Sequence, residues 1–252
     1  MYDLQKANMW KRMSAALFDV IILGIVIVGV SLLLSMLFGY TTHTERLDAL
    51  TAAYETEYGL NFDITAEEYA ALTEEEKAVY AAADEAYGKD PEVVSTYGMI
   101  ISLSLLIVTF AVLAGYLIAE LLVPLLLGNG QTLGKKIFGV GVMREDGVKI
   151  TPLLLVVRTV LGKYTVGTMI PVYILIMIYF GMMGIFGTVV VAALCLVQGI
   201  LFFGTKAHTP LHDKLAHTVT VDIASQMIFD SPEALLEYKK RIHAEEVSRK
   251  EG

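Results

Sequence analysis

The chain has 252 residues, 55% of them hydrophobic and only 18% charged. Soluble domains carry roughly 45–50% apolar and about 25% charged residues, so this balance excludes an ordinary soluble enzyme, and the hydrophobicity excludes a disordered chain. A single cysteine, Cys195, excludes a disulfide scaffold and a cysteine-based zinc site. The net charge of −8 is unevenly spread: residues 40–96 hold 14 acidic residues against Arg46, Lys77 and Lys89, so the remainder is net basic.

A bilayer-crossing helix needs about 20 mostly apolar residues. Residues 13–38 form such a run, broken only by Asp19. After the acidic segment comes a second run, 97–127, interrupted by Glu120 and Pro124. Residues 166–203 contain no charge at all and are too long for one crossing. Gly181, Gly184 and Gly187 divide them, because glycine lowers helix propensity. The pattern predicts an all-α polytopic membrane protein, a bundle of four transmembrane helices at 13–38, 97–124, 166–183 and 186–204. Lys and Arg cluster before the first, between the second and third, and after the fourth. By the positive-inside rule both termini lie in the cytoplasm of a cell bounded by a plasma membrane, and 40–96 lies outside. The chain then reads as 1–38, the N-terminus with the first span; 40–96, an acidic extracytoplasmic loop; 97–127, the second span; 128–165, a cytoplasmic connection; 166–204, a hairpin of two spans; and 205–252, a cytoplasmic tail.

The acidic loop predicts a solvated helical lobe, in preference to a vestibule that collects cations. Thr42…Glu45, Thr65…Glu68 and Thr73…Glu76 have capping-box spacing, and Leu47, Leu50, Tyr54 and Tyr58 share one helical face. Asp90-Pro91 predicts an N-cap followed by proline in the first turn, so the second span begins outside the membrane. In 128–165, alternation around Asp146-Gly147 predicts a hairpin. Thr218-Val219-Thr220-Val221 alternates too, and a small cytoplasmic sheet is expected to join these strands. Pro152 to Leu161 predicts a short amphipathic helix bearing Arg158, and Ser231-Pro232 starts a solvated tail helix.

Ionisable groups within a membrane mark function or internal pairing. Asp19 and Glu120 each lie about 10 Å deep, at ~1.5 Å per residue. Ser102, Thr109, Tyr116 and Glu120 are spaced along one helical face as a polar stripe. It reads as interhelical hydrogen bonding or as a wet pathway, with the former favoured. Ala111, Gly115 and Ala119 form a small-residue stripe suited to close packing. His208, His212 and His217 surround Pro210 without a His-Glu-x-x-His pattern, so interfacial packing is preferred to metal binding. Cys195 and Gln198 read as packing residues. No Walker loop, dinucleotide fingerprint or nucleophile with a matched base is present. The reading is of no enzyme, no cofactor and no nucleic-acid partner. Arg12, Arg158 and Lys163 are the cations available to Asp19. The pairing expected in the charge cluster joins Arg158 to Asp19 and Arg12 to Asp213, with Glu120 sharing an arginine or staying protonated.

Three segments carry a resemblance. Trp10-Lys11-Arg12-Met13-Ser14-Ala15-Ala16-Leu17-Phe18-Asp19 resembles the opening of the RDD family, named for an arginine and two aspartates. Gln131-Thr132-Leu133-Gly134-Lys135 resembles its Gly-x-Thr-Leu-Gly-Lys segment, with Gly130 before it. Leu211-His212-Asp213-Lys214-Leu215-Ala216-His217-Thr218-Val219-Thr220-Val221 resembles its C-terminal segment. The resemblance implies that Arg12, Asp19 and Asp213 are the named trio. It also implies membrane transport, including cation–proton exchange for some members. His217 stands where the family usually has glycine, which conflicts with a tight turn there. Two functions follow as expectations. One is a transporter or cation/proton exchanger using Asp19 and Glu120, with monovalent cations or protons as partners. The other is a scaffold or partner subunit, a homo-oligomer or a companion to another membrane protein, held together by an Arg/Asp network.

Overall fold

The first apolar run forms one unbroken helix, α1 (Met9–Leu37), in a computed structural model that describes residues 6–168 and 211–251. It also describes Val189, Ala192, Ala193, Leu196, Val197 and Ile200. Of α1 only Ala15 and Asp19 are buried, while Leu17, Val20, Ile25 and Leu33 are mostly exposed. An apolar surface of this extent suits hydrocarbon and not water. The second run belongs to a longer helix that starts at Pro91, as Asp90-Pro91 predicted: α5 (Pro91–Leu117), a π-helical turn π1 (Ile118–Leu122) and α6 (Val123–Leu127). Asp90 caps it by accepting from the Glu92 amide at 2.7 Å. These two helices are long and apolar enough to cross a bilayer. The four-helix count has only these two among the described residues. The predicted spans 166–183 and 186–204 lie almost wholly outside those residues, as do Cys195, Gln198 and His208.

The chain divides into two compact units, Val30–Ala111 and the combination of Met1–Gly29 with Val112–Gly252. In the first, the acidic loop is helical as expected: α2 (Tyr40–Tyr58), α3 (Ala66–Ala71) and α4 (Glu74–Lys89). Capping boxes form at Thr65–Glu68 and Thr73–Glu76. The third expected box does not form. Helix α2 starts at Tyr40, ahead of Thr42, because Gly39 takes a left-handed φ of 62° and turns the chain directly out of α1. The apolar face of α2 meets α4 through the edge-on rings of Tyr54 and Tyr87, and the Thr51 and Tyr87 hydroxyls lie 2.9 Å apart. Arg46 pairs with Glu92, and the Tyr54 hydroxyl donates to Asp90.

The other unit is built on a two-stranded antiparallel sheet. Strand β1 (Val140–Arg144) pairs with β2 (Thr218–Asp222), Val142 opposite Thr220. The Asp146-Gly147 turn forms as predicted, with the Arg144 amide donating to the Val148 carbonyl. The segment after it makes only isolated bridges, to Met143 and Phe229. Met143, Val219 and Val221 pack one face of the ladder with Ile228, and Val142 packs the other with Ile150 and Leu155. The helix predicted over 152–161 runs further: α8 (Pro152–Val156) continues as a π-helical segment π2 (Val157–Thr168). Short helices α7 (Leu133–Ile137) and α9 (Leu211–Leu215) precede the two strands, and α10 (Pro232–Glu251) closes the chain. His217 takes a φ of 47°, so the turn into β2 is made by a left-handed histidine where glycine was expected to be needed. Histidine tolerates that region better than most residues do.

Candidate functional site

Asp19 lies one turn beyond Ala15 on α1, and that face meets α7. Thr132 caps α7 by accepting from the Lys135 amide, and its hydroxyl donates to Asp19 Oδ2 at 2.5 Å. The Gly134 amide donates to Asp19 Oδ1 at 2.8 Å. A Cβ on Gly134 would lie 2.3 Å from the Ala15 carbonyl, so the approach requires glycine. The expected Asp19–Arg158 pair is therefore replaced. Two neutral donors satisfy the carboxylate, as hydrogen bonds can in place of a cation.

Arg158, on π2, is paired with Asp213 instead. Its Nε and an Nη both lie 2.7 Å from Asp213 Oδ1. Thr218 and Thr220 donate to the same carboxylate at 3.2 Å. The alternation of β2 turns these two threonines toward Asp213 while Val219 and Val221 pack away from it. Burial by itself would raise the Asp213 carboxyl, but the Arg158 guanidinium overrides it and holds the group at about 2. Helix α9 sits close to π2 because Gly162 has no Cβ, which would lie 2.9 Å from that of His212. Burial, then the Arg158 charge, lowers the His212 imidazole to about 3, so it is neutral.

Glu120 occupies π1, and Pro124 explains the irregularity there. Proline has no N–H to return to the Glu120 carbonyl four residues back. The helix widens, the Val123 amide reaches Ile118, and the Thr159 hydroxyl donates to the Glu120 carbonyl at 3.3 Å. The buried Glu120 carboxylate pairs with Lys163 of π2 at 2.5 Å. This corrects the expectation that Glu120 shares an arginine or stays protonated. The Lys163 ammonium also lies 5.9 Å from the Tyr116 ring centroid, and that ring packs on Tyr164. Each of the two π segments thus supplies one side of this ion pair.

A cavity of about 620 Å³ joins these groups. Arg12, Asp19, Glu120, Arg158 and Asp213, the five residues of the expected cluster, all line it. Lys135, Lys163 and His212 line it too. Sequence reasoning places Lys135 in a motif and His212 in a histidine group, and offers Lys163 only to Asp19. The polar stripe divides. Tyr116 and Glu120 reach the cavity, whereas the Ser102 and Thr109 hydroxyls donate to the Gly98 and Leu105 carbonyls of their own helix. Gln131 ties the motif segment to β1 through the Val140 carbonyl. His217 is exposed beside Glu145, apart from His212. Gly115, from the small-residue stripe, accepts α1 closely: a Cβ there would lie 2.6 Å from Ile27 Cγ1.

No curated protein matches the chain, and no solved structure does. A family model described as RDD family matches residues 6–217, which contain Arg12, Asp19, the Gly134 segment and Asp213. With that match covering most of its length, the chain belongs to the RDD family.

Proposed function

We propose that this protein is a membrane transporter or exchanger in which protons act through Glu120 and a charged solute occupies the cavity. The observation that carries this reading is the cavity itself, about 620 Å³ with nine ionisable side chains in its wall among the described residues. Ligand sites commonly have volumes of about 300–1,000 Å³, and ionisable groups at membrane depth mark substrate and proton paths. The cluster separates into two kinds of contact. Asp213 is saturated by Arg158 and two threonines and serves as a fixed joint. Among the described residues Lys163 alone is within ion-pair distance of Glu120, and a proton delivered to Glu120 releases that ammonium to the cavity. In this reading the protein spans the plasma membrane four times with both termini cytoplasmic.

Liposome flux tests it. Wild type should show proton-linked flux, and Glu120→Gln and Asp19→Asn should lose it while remaining folded. Flux no greater than in empty liposomes would favour the second reading, a non-transporting scaffold, which the saturation of Asp213 supports. Labelling of Thr56→Cys and Ser248→Cys, in a Cys195→Ser background, should show Thr56→Cys alone reacting with an impermeant reagent in intact cells.

A further inference from the structure

Among the described residues, the cavity has more cationic than anionic groups in its wall. Arg12, Lys135, Arg158 and Lys163 face it against Asp19, Glu120 and Asp213. Each carboxylate is already engaged: Asp19 by Thr132 and Gly134, Glu120 by Lys163, and Asp213 by Arg158. Among the described residues no carboxylate comes within ion-pair distance of the Lys135 ammonium, although Asp19 and Glu120 lie near enough to attract it. Part of the wall is apolar. Leu17 and Val20 of α1 line the cavity and are also 66% and 64% exposed, so the rim opens onto the apolar surface of that helix.

We infer that the cavity binds an amphiphilic anion with a phosphate head, its charge on Lys135 and its apolar portion along Leu17 and Val20. A lysine ammonium binds phosphate as a point charge, and basic pockets between membrane helices accept anionic headgroups. Burial and the neighbouring Arg158 charge lower the Lys135 amine to about 8, a cost that an incoming anion would offset. The inference deepens the transport reading by naming the class of solute. It rests on the cavity being a ligand site and does not depend on turnover.

The test is ligand retention by the full-length protein, measured by native mass spectrometry and by thermal shift in nanodiscs. Phosphatidylglycerol and phosphatidic acid should bind and raise the melting temperature, and phosphatidylcholine should do neither. Lys135→Gln should weaken binding at least tenfold, and Lys135→Arg should restore it. Inorganic phosphate alone is a separate arm. If it matches the lipids in binding and shift, the phosphate site stands and the apolar portion is overturned. Equal retention of phosphatidylcholine, or no retention in any arm, overturns the inference, and the wild-type arms decide this even if Lys135→Gln does not fold. Headgroup binding without flux would overturn transport and leave this inference intact. Cation flux without any anion binding would do the reverse.

Discussion

Gly134 brings two backbones together, and its replacement gives the sharpest residue-scale expectation. Gly134→Ala places a methyl group 2.3 Å from the Ala15 carbonyl, which cannot rotate away. The loss should reach about 3 kcal/mol, the upper part of the overpacking range, read as a lowered melting temperature in detergent. The Arg158–Asp213 pair gives the second. Arg158→Met leaves a buried carboxylate uncompensated and should cost about 3–5 kcal/mol. Arg158→Met with Asp213→Asn should recover part of that, and equality with the sum of the single losses would show no coupling. The third is pH dependence. His212 is held down to about 3 from 6.5, so below 6.5 the unfolded chain takes up a proton that the folded chain refuses, and stability falls with pH. Asp213 is held at about 2 from 3.8, so its contribution is complete above 3.8 and is lost between 3.8 and 2. Acid titration of the melting temperature should therefore show two legs, and His212→Asn should flatten the upper one alone. At this scale the sequence revealed which residues are buried and charged but not who pairs with whom. A buried carboxylate calls for a donor, and a threonine hydroxyl and a backbone amide serve Asp19 as well as a cation would.

Elements were legible where their signals are local. The α1 and α5 runs, two of the capping boxes, the Asp90-Pro91 start and the Asp146-Gly147 turn each depend on residues within a few positions of one another. The π1 turn is not legible in sequence, because its cause is split between a proline and a distant hydroxyl. Pro124 removes the donor for the Glu120 carbonyl, and Thr159, 39 residues away, supplies it. Thr159→Val should cost about 1 kcal/mol, the net worth of a neutral hydrogen bond. In a Pro124→Ala background the backbone N–H restored at that position can take the carbonyl, so the same valine substitution should cost close to nothing. Chemical-denaturation midpoints of the four proteins give the comparison. A full valine penalty in both backgrounds would detach π1 from Pro124.

For the molecule as a whole, the chain folds as two units, and the division falls within helices rather than between them. Deleting residues 44–88 removes contacts internal to Val30–Ala111, such as Thr51–Tyr87 and Tyr54–Asp90. The shortened protein should elute as a single species and keep the melting behaviour of the Arg158–Asp213 unit; aggregation would show that the lobe is needed for folding. The charge asymmetry made this lobe visible in sequence, since 14 acidic residues in one stretch cannot sit in hydrocarbon. The cavity was not visible, because its wall is drawn from Arg12 to Thr220 and only the folded chain gathers it. The β1–β2 ladder sets the time at which it is gathered. Val140 pairs with Asp222, so the clasp cannot close until the chain has left the ribosome as far as Asp222. Arg158 is made 55 residues before its partner Asp213. The nascent protein must carry an unpaired guanidinium while those residues are added, and a pause between the two would prolong the interval in which assembly can fail.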